Sequence, residues 1–215
     1  MLLGPLVATF TETLLRRLNP PDTREPDDFS EARGSVLVIG FGRFGQIVSQ
    51  CLLAEDIDVT TIDNDPEMIQ DAAGFGFKVY YGDGTRLDVL RAAGLGQARL
   101  IAICTDKEEP ANRIVDLTRA EFPGTKIFVR SYDRGHTLQL LAKDVDFELR
   151  EIFESAMRFG RETLVAIGIG ADRAAIVEDF IRTRDRERLA VQQAEGIYGG
   201  LDMAVSIPFE RWCRL

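Results

Sequence analysis

Short apolar runs and amphipathic stretches alternate through the middle of the chain. Runs rich in β-branched or aromatic residues predict strands at 35–40 (SVLVIG), 58–62 (DVTTI), 78–81 (KVYY), 100–104 (LIAIC) and 126–130 (KIFVR), with a weaker one at 145–148. Between them, apolar positions at helical spacing predict helices over 44–54, 66–73, 86–93, 109–121 and 133–143. VLVI and LIAI are apolar throughout, as are strands buried on both faces of a parallel sheet. Strand–helix alternation with short connections predicts an α/β fold, a doubly wound parallel sheet of about six strands spanning 35–150.

The flanks follow other rules. Beyond the sheet, Ile152, Phe153, Ala156, Phe159 and Leu164 recur near helical spacing up to Gly168 and Gly170, and Ala171 to Glu195 predicts a second appended helix striped by Ile176, Val177, Phe180 and Ile181. These two, within 151–196, lie outside the sheet pattern, the second with a neighbouring subunit as a candidate partner. Residues 197–215, with Gly199-Gly200, Pro208 and Trp212, form a tail with no functional reading. Ahead of the sheet, 19–34 carry three prolines among many acidic residues and predict an extended acidic linker. Residues 1–18 begin with the apolar MLLGPLVATF and end near Arg16-Arg17. About ten apolar residues cannot span a bilayer, so this segment is either the cytoplasmic end of a membrane helix or an amphipathic surface helix.

Composition narrows the class. The chain has 215 residues, 26 Lys+Arg against 35 Asp+Glu, a net charge of −9, and therefore room for one core plus appendages and no basic patch suited to nucleic acid. Cys51, Cys104 and Cys213 are widely spaced and form no CxxC, which indicates neither a disulfide framework nor a zinc site and fits a reducing compartment. His136 is the only histidine, which leaves histidine-centred catalysis and metal ligation little to work with.

The chemistry sits directly after the first strand. Gly40-Phe41-Gly42-Arg43-Phe44-Gly45 is a GxGxxG that opens a helix, where the first glycine permits a tight turn, the second lets backbone approach a pyrophosphate, and the third allows close helix packing. Asp63, with Asn64 behind it, closes the second strand where a carboxylate can accept ribose hydroxyls. That acidic group disfavours a 2′-phosphate and so favours NAD(H) or another adenosine nucleotide over NADP(H). Against this stand a bare structural turn for the glycines and a helix cap for Asp63. Arg43 is a candidate for phosphate or carboxylate oxygens. Gly82-Asp83-Gly84-Thr85 predicts either a turn with Thr85 as helix cap or a loop lining the adenine end, and both can hold. Cys104-Thr105-Asp106 and Arg130 end the fourth and fifth strands on the same edge, where such sheets bind ligands. Cys104 suits the core better than nucleophilic work; Arg130 fits an anionic ligand or a salt bridge equally; His136 is expected to be solvated or capping; Asp144 and Asp146 are expected at a turn and on a solvent face.

GSVLVIGFGRFGQIVSQCLL, IDND, YYGDGT and VRSYDR resemble the regulatory nucleotide-binding domain (RCK or KTN, also TrkA-N) of bacterial potassium channels and transporters, and GFGRFGQ with FGFKVYYGDGTR is similar to the Kef type of glutathione-regulated efflux antiporters over about 35–167. The resemblance implies a Rossmann-like sheet, a crossover helix that makes a homodimer, and NAD(H) or AMP held at the glycine turn, Asp63 and the GDGT loop. It also implies a membrane transporter portion at the cytoplasmic face of the inner membrane, with 1–18 as the end of its last helix. Gln139-Leu140-Leu141 stands where a basic stretch is expected of glutathione-gated members, and Arg184 where an asparagine is expected, which puts glutathione in doubt as an effector. The function implied is a non-enzymatic sensor that gates potassium efflux. Its rivals are an NAD-dependent oxidoreductase, for which no paired acid and base is evident, and a plain dimerisation module.

Overall fold

Six strands form one all-parallel sheet in the order β3-β2-β1-β4-β5-β6, in a computed structural model that describes residues 24–201 and 203. The expectations for 1–18, and for the tail beyond 203 with Trp212, lie outside the described residues. The strands are β1 (Val36–Ile39), β2 (Val59–Asp63), β3 (Val79–Tyr81), β4 (Leu100–Ile103), β5 (Lys126–Ser131) and β6 (Phe147–Arg150). The helices are α1 (Arg43–Leu53), α2 (Pro66–Gly74), α3 (Leu87–Ala92), α4 (Glu108–Glu121), α5 (Arg134–Ala142), α6 (Glu151–Ala166) and α7 (Ala171–Glu195). This is the Rossmann-like order, in which strand succession reverses between β1 and β4 and leaves a crevice at their carboxyl ends.

Alternation along β1 separates two cores. Leu37 and Ile39 face α3, α4 and α5 through Leu90, Ile114, Val115 and Leu140, while Val36 and Val38 face α1 through Phe44, Val48 and Leu52. The second layer stops short. On β5 and β6, Phe128 and Phe147 meet each other at 5.0 Å between ring centroids but stay substantially exposed, beside an almost wholly apolar hollow of about 100 Å³.

The acidic segment is docked where it enters the fold. Asp27 makes one backbone and one side-chain bond to β3, its N–H donating to the Tyr81 carbonyl at 3.0 Å and its carboxylate accepting the Tyr81 N–H at 2.8 Å. Phe29 is buried in the main core and stacks on Tyr80 at 5.1 Å. The expectation of a linker without core contacts misses this, because one aromatic among acids carries little weight in a composition argument.

The two appended helices are unlike each other. α6 buries no residue, and Ile152 and Phe159 are 76% and 77% exposed. α7 buries Ala174, Phe180, Leu189 and Gln192 within its own chain. Asp185 fastens it, pairing with Arg134 at 2.5 Å and with Arg150, the Arg150–Asp185 pair being only 13% exposed on each side. Ile176 and Ile181 on the same helix stay exposed.

His136 is buried, not solvated. Asp133 caps α5 through the His136 N–H at 2.8 Å, and the ring Nδ1 accepts the Tyr132 N–H at 2.9 Å, so the neutral ring carries its hydrogen on Nε2, which has no partner among the described residues. Asp144 does sit in a turn, with φ 54°, whereas Asp146 is a structural acceptor for the Ile127 N–H and Arg119, which hold its carboxyl below the usual range.

Phe29→Ala is expected to cost about 3 kcal/mol through the cavity it leaves, read as a clear drop in melting temperature; an unchanged melt would mean the segment is a loose tether. Burial pushes His136 below its ordinary value, against Glu108, Asp133 and Glu148, which pull upward, and with Lys143 adding to the depression. The unfolded chain then binds the proton more readily than the folded one, so this contribution is complete above about pH 6.5 and declines as pH falls toward the depressed folded value. The melting-temperature gap between the native protein and His136→Asn, which keeps an acceptor for Tyr132, should narrow between about pH 7.5 and 5.5; a constant gap would contradict a buried neutral ring.

Candidate functional site

Gly40 turns the chain out of β1 with φ +94°, a left-handed conformation that favours glycine. The next turn of α1 comes back over it so closely that a Cβ on Gly45 would lie 1.9 Å from the Gly40 carbonyl oxygen. Gly42 is different: it is the N-cap of α1, and a Cβ there would meet nothing within 4 Å. No side chain caps this helix and no acidic residue stands in its first turn, so its free N–H groups and partial positive charge face the crevice. Phe41 points the other way, into a small cluster with Phe77, Ala72 and Val79.

Asp63 locks the turn to β2. Its Oδ2 accepts the Phe41 N–H at 2.5 Å and its Oδ1 accepts the Asp65 N–H at 2.8 Å. Each oxygen has lone-pair capacity left after one backbone bond, so the carboxylate is aimed and still able to accept hydroxyls. The helix-cap role belongs to Asp65, which accepts from Glu67 and Met68 ahead of Pro66.

The GDGT loop closes on itself. Asp83 Oδ1 accepts the Thr85 N–H at 2.9 Å and its hydroxyl at 2.7 Å, and Arg113 Nε donates to the Thr85 carbonyl at 2.9 Å. Thr85 is thus not the cap of α3; Arg86 occupies that position without a side-chain bond. Gly84 is pressed against Ile39, whose Cγ2 would be 2.6 Å from an added Cβ.

Across the switch point, Arg130 leaves β5 and forms the salt bridge that was one of its two readings. Nη2 lies 2.6 Å from Glu151 Oε2, Nη1 3.4 Å from the Cys104 carbonyl oxygen, and the guanidinium 5.3 Å from the Phe44 ring centre. Cys104 is buried, and burial pushes its thiol up to about 12, with Arg130 opposing weakly, so no thiolate is available for nucleophilic attack.

These groups line one cleft of about 480 Å³. It gathers Gly40, Gly42, Arg43 and Phe44 from the glycine turn, Asp63 and Asn64 from β2, Asp83, Gly84 and Thr85 from the loop, and Thr105 and Arg130 from the far side. Phe41 and Gly45 lie behind the lining and hold the turn's shape; His136 is not among the lining residues. Asp65, Asp106, Lys107 and Glu151 also line the cleft. Glu151 is the informative omission, because it opens a helix read as an appendage and only the tertiary path of β6 brings it back.

The TrkA-N domain model matches residues 36–147. A glutathione-regulated potassium-efflux system protein of Haemophilus influenzae is 42% identical over 201 residues, covering 91% of this chain and 32% of its own length. The glutathione-regulated potassium-efflux system protein KefC of Cronobacter sakazakii is 34% identical over 184 residues, 86% of this chain and 30% of its own. The chain thus spans about a third of the length of the curated relatives it matches. Among solved structures, the Kef CTD of Shewanella denitrificans in AMP-bound form superposes with TM-score 0.68 at 35% identity, covering 74% of this chain and 97% of that one. The TrkA-N domain of the inner membrane protein ybaL from Escherichia coli, at 20% identity and TM-score 0.53, shares the fold over 62% of this chain and 95% of its own.

The two glycines should separate by calorimetry. Gly45→Ala is expected to lose about 1–3 kcal/mol or more by overpacking, whereas Gly42→Ala should melt within about 0.5 kcal/mol of the native protein. Equal losses would contradict the division between a packing glycine and an open one.

Proposed function

The chain belongs to the TrkA-N domain family, and from that membership we propose that it is a cytosolic nucleotide-sensing regulatory domain that gates a potassium efflux antiporter or channel. The observation that carries the proposal is the cleft itself: a carboxylate aimed by two backbone N–H groups stands beside an uncapped helix N-terminus, at the switch point of a Rossmann-like sheet. Asp63 accepts the ribose hydroxyls, the N–H groups of α1 take the phosphate, and the loop from Gly82 to Thr85 borders the adenine. AMP or NAD(H) fits this pattern. A 2′-phosphate would meet the Asp63 carboxylate. The 35% identity to a domain described as AMP-bound, across nearly all of that domain, supports the same assignment.

The cleft supports sensing rather than turnover. Cys104 is held as a thiol and His136 is buried away from the cleft, so neither serves as the acid or base that hydride transfer needs. Gating requires a ligand that binds one arrangement of the assembly better than another, and α6 is the element that offers a second copy a surface. Its exposed Ile152 and Phe159, together with the open face of Phe128 and Phe147, form the homodimer contact, while α7 stays with its own domain through Asp185. No helix among the described residues is long and apolar enough to cross a membrane; the domain works at the cytoplasmic face of the inner membrane, beside the transporter portion of a longer protein. Glutathione finds neither a basic stretch at Gln139-Leu140-Leu141 nor an asparagine at position 184, and Arg184 is engaged with the Met203 carbonyl oxygen.

Calorimetric titration should show binding of AMP and NAD(H), none of NADPH, and a loss of at least about tenfold, 1.4 kcal/mol, in Asp63→Ala. Binding that survives Asp63→Ala unchanged would move the site elsewhere. Sedimentation should show a dimer that Phe159→Arg converts to monomer without lowering the melting temperature; a dimer indifferent to this change would contradict the α6 contact.

A further inference from the structure

Three cations line the cleft, and they stand at three successive strand ends: Arg43 after β1, Lys107 after β4 and Arg130 on β5. Their charges are not equally available. Arg130 is held by Glu151 at 2.6 Å and by the Cys104 carbonyl oxygen at 3.4 Å. Arg43 is the first residue of α1, beside the N–H groups assigned to the first phosphate, so it can serve nucleotides of any length. Lys107 is exposed and has no ion-pair partner among the described residues. Its backbone, by contrast, is fixed. Lys107 is the N-cap of α4, where its carbonyl accepts the Ala111 N–H at 3.3 Å and the Thr105 hydroxyl at 3.5 Å. Two turns on, Arg113 ties α4 to the Thr85 carbonyl of the GDGT loop at 2.9 Å. An unpaired ammonium thus stands on a base that is bonded to the adenine side of the cleft. Strand order sets the direction a ligand must take, from β2 past β1 to β4. With its ribose at Asp63 and its first phosphate over the N-terminus of α1, a nucleotide extends its next group toward the end of β4. The neighbouring side chains there are acidic: Asp106 precedes Lys107, and Glu108 and Glu109 follow it in the first turn of α4. A second phosphate in this place is repelled unless a point charge offsets those carboxylates, and the Lys107 ammonium is such a charge.

We propose that Lys107 is the specificity-determining residue for a second phosphate: its ammonium recognises the pyrophosphate of a nucleoside diphosphate or a dinucleotide and takes no part in holding a nucleoside monophosphate. This rests on the nucleotide-sensing reading above and accommodates both ligands named there. AMP is held at Asp63 and α1, NAD(H) at these and at Lys107.

The test titrates AMP, ADP and NADH, without divalent cations, into the native protein, Lys107→Met, Lys107→Arg and Arg43→Met, each first checked for native melting. The native protein should bind ADP and NADH about fivefold or more tighter than AMP. Lys107→Met should remove that advantage for both while changing AMP less than about twofold, Lys107→Arg should retain it, and Arg43→Met should weaken all three ligands alike. Four results would overturn the role of Lys107 and leave the site standing, provided AMP binding still depends on Asp63. They are a native protein without the advantage, a common loss of all three ligands in Lys107→Met, a loss for NADH without one for ADP, and an advantage that survives Lys107→Met. Absence of AMP binding in the native protein, or AMP binding indifferent to Asp63→Ala, would overturn the site and this inference together.

Discussion

Everything at the carboxyl edge of the sheet depends on two backbones being allowed to touch. The first turn of α1 rests on the Gly40 carbonyl at a distance that no side chain at position 45 would permit. Because of that approach, the helix axis points its N-terminus at the crevice between β1 and β4 rather than past it. Asp63 then reaches the Phe41 N–H inside the same turn. The carboxylate is thereby a structural pin and a polar group on the cleft wall at once, tying the glycine turn to β2. Substitutions that loosen the pin would misalign the helix N-terminus even if every residue near the ligand were kept.

The sheet and its helices were legible in the sequence because β1 and β4 are short apolar runs, the helices between strands carry helical spacing, and α2 and α5 begin at the cap signals Asp65-Pro66 and Asp133. The half of the cleft built from consecutive residues was legible for the same reason: the glycine turn and Asp63 announce themselves by spacing. What could not be read was anything set by a long-range path. Phe29 sits in an acidic, proline-rich segment, and only the pairing of Asp27 with Tyr81 shows that it enters the core. Glu151 belongs in sequence to a helix outside the fold, and only β6 beside β5 returns it to Arg130. His136 carries no local sign of burial, and Thr85 has the residue type of a cap but donates to Asp83 instead.

The appended helices divide the remaining work. α7 is held by a guanidinium–carboxylate–guanidinium cluster in which Asp185 serves Arg134 from α5 and Arg150 from the end of β6. Removing one member of such a shielded cluster leaves charge uncompensated, so its cost exceeds that of an exposed pair. α6 is joined to α7 by Glu154–Arg182 and Arg161–Glu178, and to the sheet at its first residue, where Glu151 meets Arg130. The helix offered to a second copy is thus tied to the sheet at the cleft, and an anion competing for Arg130 would act directly on its start. That is a short physical route from ligand to assembly, and it needs no conformational change in the core.

The central claim is that the glycine turn, Asp63 and the GDGT loop bind a nucleotide together. Amide hydrogen exchange with and without saturating AMP tests it most directly, because the proposed donors are themselves exchangeable. Protection should appear at residues 42–46 and 82–86, with the centre of α7 unchanged. Protection confined to other segments, or none anywhere under conditions where AMP is bound, would contradict the assignment.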